Sequence, residues 1–360
     1  MPAFWSLKAV GTDWPLNKNV SPLVTAGGQS DFLVMRRWSP TELVPLLHDC
    51  PSVLGDTFAR RISVRRPPPL AGRFFFSAGL PGPISRAKVA EKKKVTNMSV
   101  TVCTWNINSV RLREPIVLKL LKEQAPDVLC LQETKSPVEK IPTEGFAALG
   151  YDVMIARGDK GYNGVAIVSR LPMEEVTPQN FGGKGDARHV VGRLNSGVEI
   201  HNVYLPAGGD IPDPEKNEKF DHKMRFVADV QNWGAKASGS AILVGDLNIA
   251  PREDDVWSHK QLLKVVSHTP VEVEAFEAAR AARNWVDVTR NDLTEGLLYS
   301  WWSYRAKDWD AADKGRRLDH IWATPDIAPK PGAGQSRVLR DARGWEKPSD
   351  HAPVFATFDI

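Results

Sequence analysis

The chain has 360 residues, 42% apolar and 25% charged, the balance of a globular protein with room for one large domain or two ordinary ones. Its net charge of +4 is unevenly spread: residues 1–98 carry 14 Lys/Arg against 6 Asp/Glu, and residues 99–360 carry 33 against 37, so the body is no uniformly basic nucleic-acid binder. No apolar run approaches the roughly 20 residues of a membrane span, and Cys50, Cys103 and Cys130 are too scattered for a metal cluster or a disulfide framework, which suits a reduced, cytoplasmic setting.

Residues 1–98 show no sustained periodicity. They contain RRPPPLAGRFFFSAGLPGP (65–83) and KVAEKKKVTNM (88–98), which read as linker and disorder. No apolar h-region follows a basic start, so a secretory signal is not expected. The segment reads as a dispensable upstream extension or a misassigned start. Its arginines allow a cleaved organelle-targeting peptide as the alternative, against which Asp13 and Asp31 count.

From Met98 the pattern changes. SVTVCTWNI (99–107) alternates as a strand, REPIVLKLLKEQ (113–124) is a helix with Pro115 in its first turn, and DVLCLQE (127–133) is a buried strand. Strands are expected at YDVMIA, NGVAIVS, HVVGRL and VEIHNVY, then a helix over about 216–236 and the strand SAILVG. A helix over roughly 271–284 and strands at RLDHIWA and PVFATFD complete the set. Mostly β segments with interspersed helices predict one α/β or α+β domain of packed sheets over 99–360.

Polar residues follow these strands repeatedly: Asn106 and Asn108, Glu133 and Lys135, Tyr204, Asp246 and Asn248, Asp319 and His320, Asp350 and His351. In extended chain, residues two apart point to the same side, so Asp246 and Asn248 are expected to project together. Any one placement fits an ordinary turn equally well; six of them do not fit six independent turns. Hard oxygen ligands such as Glu133, Asp246 and Asp350 suit Mg²⁺ or Mn²⁺ rather than Zn²⁺. An Asp–His pair orients and charges an imidazole, and Asn donates to a phosphoryl oxygen. With no G-x-S-x-G elbow and no P-loop, the combination points to metal-assisted hydrolysis of a phosphate ester.

The ordered series TWNINSVR, PDVLCLQETK, GYNGVAIVSR, VYLPAG, LVGDLNIAP, RLDHIW and SDHAPVFATF resembles the exonuclease III family of abasic-site endonucleases, within the endonuclease/exonuclease/phosphatase superfamily. The resemblance runs from about residue 100 to the C-terminus. It implies a DNase I-like, four-layered α/β sandwich, two packed β-sheets flanked by helices. It also implies a Mg²⁺-dependent monomeric nuclease, with Mn²⁺ a possible substitute, that needs no membrane. Its substrate would be double-stranded DNA with abasic or 3′-blocked ends, cut 5′ to the abasic site, with 3′→5′ exonuclease and 3′-phosphatase activities.

Carried onto this chain, the resemblance makes Glu133 the principal metal ligand and Asn106 its neighbour. Asp350 becomes a second metal-side carboxylate, and Tyr204 contacts the scissile phosphate. Asp246 and Asn248 position or deprotonate the attacking water and stabilise the transition state, and Asp319 orients the imidazole of His351. Asp246, Asn248 and His351 are also counted on the metal side. Asn108, Arg111, Trp301 and Leu318 are candidates for DNA or abasic-pocket contacts. Two positions depart from the pattern: Ala207 stands where Asn or Gln is usual, and Arg316 where an apolar residue often lines the pocket.

Two other functions compete: a superfamily relative acting on a non-DNA phosphate ester, and a catalytically silent DNA-binding protein. LQETK and SDHAPVFATF, with aromatics in WWSYR suited to stacking on an extruded sugar or base, oppose the first. The filled catalytic positions oppose the second.

Overall fold

The computed structural model describes residues 98–360, so the extension expected over 1–98 lies, Met98 apart, outside the described residues. The alternation in SVTVCTWN becomes β1 (Ser99–Asn106). Val100, Val102 and Asn106 face one side and Cys103 and Trp105 the other, and both sides are buried. A strand covered on both faces needs a layer above and a layer below. Two sheets and flanking helices supply them.

One sheet contains β1 with β2 (Val128–Gln132), β3 (Val153–Asp159), β4 (Tyr162–Ser169), β13 (Ser336–Val338) and β14 (Val354–Asp359), in the order β13-β14-β1-β2-β4-β3. The other contains β5 (Met173–Val176), β6 (His189–Leu194), β7 (Glu199–Tyr204), β8 (Ala241–Asp246), β9 (Val286–Asp287) and β12 (Asp319–Ala323), in the order β5-β6-β7-β8-β12-β9. A two-stranded ribbon, β10 (Trp301–Trp302) with β11 (Gly315–Arg316), stands apart. Among the described residues, only β1–β2 and β7–β8 pair in parallel. A parallel pair needs a crossover, and helices Glu114–Gln124 and Glu218–Gly234 provide these two.

Val102, Cys130, Ile200, Ile242, Val244 and Ile321 fill the space between the sheets. Helix Glu114–Gln124 covers the outer face of the first sheet, burying Val117, Leu120 and Leu121 against Trp105 and Leu131. Helices Glu218–Gly234 and Pro270–Ala281 cover the second, burying Phe226, Val230 and Phe276 against Val203 and Trp322. This is the expected four-layered α/β sandwich. The expected strands and helices are all present, with ends shifted by a few residues. Five strands, β5, β9, β10, β11 and β13, escape the sequence reading because two to four residues cannot display a period.

On the outer face of the second sheet, His189 and His201 are buried side by side. The Gln179 amide donates to His189 Nδ1 at 3.0 Å, which leaves Nε2 to donate to His201 Nδ1 at 3.2 Å. Burial holds His189 well below its ordinary pKa, helped by its neighbour; burial also lowers His201, against the pull of Glu199. Both imidazoles therefore fold neutral. Below about pH 6.5 the unfolded chain takes up protons that the folded pair refuses, so this stabilisation is complete above that pH and is lost as the pH falls. Urea midpoints should drop between pH 7.5 and 5.5, as the unfolding free energy falls by up to roughly 1.4 kcal/mol per pH unit for each histidine. His189→Gln should flatten the drop. A wild-type midpoint that stays level across this range would rule out a neutral pair.

Candidate active site

The inward-facing positions of β1, β2, β7 and β8 end in polar residues: Asn106, Gln132, Tyr204 and Asp246. One step deeper lies a polar tier. Gln132 Nε2 donates to Thr104 Oγ1 (2.9 Å) and to Asn202 Oδ1 (2.7 Å), and Asn202 Nδ2 donates to the carbonyls of Leu131 and Ala166, both at 2.9 Å. This network joins the two sheets directly beneath the site.

Glu133 leaves β2 with a left-handed φ of 49°, and its turn is held by the Ser109 amide donating to the Glu133 carbonyl at 2.7 Å. Its Oε1 accepts from Asn106 Nδ2 (2.9 Å) and from the Tyr204 hydroxyl (2.8 Å), while Oε2 faces Lys135 Nζ at 2.7 Å. Burial opposes its charge, but the Asn106 amide, the Lys135 ammonium and the Tyr204 hydroxyl together hold Glu133 below the ordinary carboxylate range. Burial, reinforced by Glu133 and Asp246, pushes Tyr204 up, so it remains a phenol at neutral pH. Asn106 Nδ2 also donates to Asp246 Oδ2 at 2.9 Å. One amide nitrogen thus bridges both carboxylates.

The β8–β12 register sets Asp246 directly opposite Asp319. His351, just before β14, relieves this opposition of like charges. Its Nδ1 donates to Asp319 Oδ2 at 2.8 Å, and its Nε2 stands 3.7 Å from Asp246 Oδ2. Burial alone would depress the imidazole; Asp319 and Asp246 outweigh it and lift His351 to about 10. Burial raises Asp246, with His351 opposing and Asp319 assisting. Trp105 Nε1 fixes the His351 carbonyl at 2.9 Å, and the Ser300 hydroxyl accepts the Leu318 and Asp319 amides at 3.0 Å each.

Asp246 and Asn248 meet the same cleft, but not as alternate residues of extended chain. β8 stops at Asp246, whose Oδ1 accepts the Asn248 amide (3.0 Å), and Asn248 turns left-handed with φ of 50°. Its Nδ2 donates to the Leu205 carbonyl at 2.9 Å, which leaves one amide hydrogen free of that bond. Asn106 and Asn108 repeat the device, with Asn108 at φ of 48° and its amide donating to Asn106 Oδ1 at 3.1 Å.

These groups line a cleft of about 790 Å³ with Glu133, Tyr204, Asp246, Asn248, Asp350 and His351 on its wall. Trp301 and Leu318 line it too, and Trp301 Nε1 donates to Asp350 Oδ2 at 3.0 Å. Asn108 Nδ2 holds Asp350 Oδ1 at 3.1 Å. Asp319 sits behind His351, and Arg111 is exposed on the turn after β1, outside the cleft lining. Three cations went unread as a group: Arg305, Lys314 and Arg316 also line the cleft. Arg316 lies over Trp301, 5.4 Å from the ring centre, and donates from Nη1 to Ser267 Oγ at 2.7 Å. Arg113, also unread, braces the β1 turn through the carbonyls of Asn108 and Pro348. No spacing in the sequence marks it.

The donor set fits a hard divalent cation. Glu133 and Asp350 supply carboxylate oxygens, and Asn108 supplies an amide oxygen. The Lys135 ammonium already stands between Glu133 and Asn108 Oδ1, at 2.7 Å from each, where positive charge is drawn. Asp246, Asp319 and His351 also offer ligand atoms within 4.8 Å of one another. Within that trio His351 Nδ1 already donates to Asp319 Oδ2.

Carboxylates, amides, a phenol and a charged imidazole converging on one cleft, with cations on its rim, define a phosphodiester hydrolase. The sequence pattern of the Endonuclease/Exonuclease/phosphatase family matches residues 103–351. Exodeoxyribonuclease III of Haemophilus influenzae is 29% identical over 273 residues, covering 71% of this chain and 98% of its own. Among solved structures, an AP endonuclease from Archaeoglobus fulgidus matches with TM-score 0.66 and 32% identity, over 72% of this chain and all of its own. A 3′ phosphatase from Neisseria, solved with a product DNA hairpin, matches with TM-score 0.65 and 31% identity, over the same shares. The chain belongs to the Endonuclease/Exonuclease/phosphatase family, in its exodeoxyribonuclease III and AP endonuclease branch, and is a nuclease.

The 2.8 Å bond from His351 to Asp319 predicts that Asp319→Asn lowers kcat on DNA by about two to four orders of magnitude, since a mis-set imidazole costs that much elsewhere. DNA affinity should hold. Single-turnover rates beside a gel-shift titration check this, and a near-wild-type rate would remove Asp319 from the mechanism.

Proposed function

We propose that the protein is a Mg²⁺-dependent DNA-repair nuclease that cuts duplex DNA 5′ to abasic sites and also removes 3′ nucleotides and 3′ phosphates. The observation that carries this reading is Asn106 Nδ2, bonded at once to Glu133 and Asp246, which joins the cation-binding side of the cleft to its proton-handling side. The relatives, an exodeoxyribonuclease III, an AP endonuclease and a 3′ phosphatase, support it.

Glu133 would hold the cation, with Asp350 and the amide oxygens of Asn106 and Asn108 nearby; Mg²⁺, or Mn²⁺ in its place, neutralises phosphate charge and stabilises the departing 3′ oxygen when bound. Asp246 accepts the proton of the attacking water, a role suited to a carboxylate whose pKa burial has raised. The free amide hydrogen of Asn248 and the Nε2 hydrogen of the His351 imidazolium donate to phosphoryl oxygens as charge builds there. Asp319 keeps the opposite imidazole nitrogen protonated. Tyr204 is a neutral phenol whose hydroxyl, donated to Glu133 in the free protein, would turn to the phosphate when DNA is bound. Trp301 and Leu318 offer walls for an extruded sugar, and Arg305, Lys314 and Arg316 meet the phosphates of the strand.

The deciding assay uses a duplex with one tetrahydrofuran abasic analogue, with Mg²⁺ and with EDTA, beside an undamaged duplex and small phosphate esters. An EDTA-sensitive nick at the analogue is expected. Turnover of small esters alone would favour a non-DNA phosphodiesterase. Glu133→Gln, nearly isosteric, should need far more Mg²⁺ for half-maximal rate and reach a lower maximum, because a neutral amide binds a hard cation poorly. A single-turnover Mg²⁺ titration unchanged from wild type would show that Glu133 does not hold the metal.

A further inference from the structure

Beneath the cleft lies a charged pair that no step above uses. Lys223, on helix Glu218–Gly234, and Glu272, in the first turn of helix Pro270–Ala281, are both fully buried, with Nζ 2.5 Å from Oε1. A buried ion pair recovers its desolvation cost only through good geometry and further hydrogen bonds, and often adds nothing to stability. The further bonds here are specific. Lys223 Nζ donates to the Asn248 carbonyl at 2.8 Å and to the Ala207 carbonyl at 3.3 Å. Glu272 accepts the Ser267 amide at 3.0 Å on each oxygen, the Thr269 amide at 3.2 Å and the Thr269 hydroxyl at 2.6 Å.

Those partners sit on three separate loops: after β7, after β8, and before helix Pro270–Ala281. Each loop puts a residue on the cleft wall, namely Ala207, Asn248 and Ser267. Asn248 sits in a left-handed conformation that its own strand does not impose. Gly208, at φ of +91°, lets the lysine stem through; a Cβ there would stand 2.8 Å from Lys223 Cδ. The ammonium is thus delivered to one point where three loops meet.

We propose that Lys223 and Glu272 are positioning residues for the nuclease reaction. The pair clamps the Asn248 carbonyl, and with it the aim of the Asn248 side-chain amide, to the two neighbouring loops that also line the cleft. The proposal rests on the nuclease reading above. Its energetic logic is that small misplacements cost rate: a shift of about 1 Å in a positioned group can cost on the order of 100-fold.

The test is the double variant Lys223→Met/Glu272→Gln. It removes both buried charges at similar volume, and Gln keeps the Thr269 capping box. It also removes the donors to Asn248 and Ala207. Expected are an unshifted melting temperature, and KM and DNA affinity within about threefold of wild type, with kcat down by about 10- to 100-fold on the abasic duplex. A folded double variant with wild-type kcat overturns the proposal, as does a loss confined to KM. If the double variant does not fold, Glu272→Gln alone decides: a kcat reduced several-fold at unchanged KM supports the clamp, and wild-type kcat overturns it. Wild type runs in the same assay. If wild type leaves DNA intact, the nuclease reading falls and takes this proposal with it; if wild type cuts and the folded variant cuts equally, the clamp alone falls.

Discussion

Two carboxylates that backbone pairing sets directly opposite each other govern this site. The β8–β12 register leaves Asp246 and Asp319 no way to separate, and both are buried. Such an arrangement is tolerable only if positive charge or a proton lies between them. His351 supplies it, and its place explains much of the surrounding chain. The segment before β14 must cross the mouth of both sheets, so Ser349 Oγ ties it to the Asn106 carbonyl at 2.6 Å and Trp105 ties the His351 carbonyl. The same electrostatic demand that stabilises the folded chain leaves a charged donor facing the cleft. Structural need and the proposed catalytic use coincide in one imidazole.

The rest of the site is a consequence of strand parity. Because both sheets bury their inner faces, positions of one parity run apolar up the central strands to the hydrogen-bonded polar tier of Thr104 and Asn202 and then the polar rim. Left-handed turns at Asn108, Glu133 and Asn248 then fold the chain back over its own strand end. Each costs some backbone strain, offset by the bonds made to the turn. The cations arrive on the β10–β11 ribbon and its connecting loop, and the same ribbon holds Asp350 through Trp301, so the two kinds of charge in the cleft share a support.

How much of this was legible depended on length and context. SVTVCTWN announces itself by alternation, and AILVGD by an unbroken apolar run that ends in Gly and Asp. Val286–Asp287 and Trp301–Trp302 are strands only because neighbours pair with them, information no local window holds. The site carboxylates and amides were legible because they follow strong strands. That Asn248 reaches the cleft through a left-handed turn was not, because spacing alone does not distinguish a turn from extended chain. Lys223 and Glu272 were invisible for a different reason: a lysine or glutamate within an amphipathic helix reads as solvent-facing, and only the tertiary packing of helices Glu218–Gly234 and Pro270–Ala281 buries them. Arg316 was legible as a departure at a pocket position, whereas Arg305 and Lys314 were masked by a body whose acidic residues outnumber its basic ones.

The polar tier of Thr104, Gln132 and Asn202 has an effect on the whole sandwich. The hydrophobic attraction between two sheets is non-directional. Hydrogen bonds with fixed donors and acceptors add a directional constraint to it. Gln132 from one sheet and Asn202 from the other therefore act as a dowel through two boards, setting their mutual offset at the one level where it matters. Repacking deeper between the sheets, around Val102 or Ile242, should then change how tightly the boards are held without changing how they are aligned at the rim. The interior can accumulate substitutions while the reacting groups keep their mutual distances.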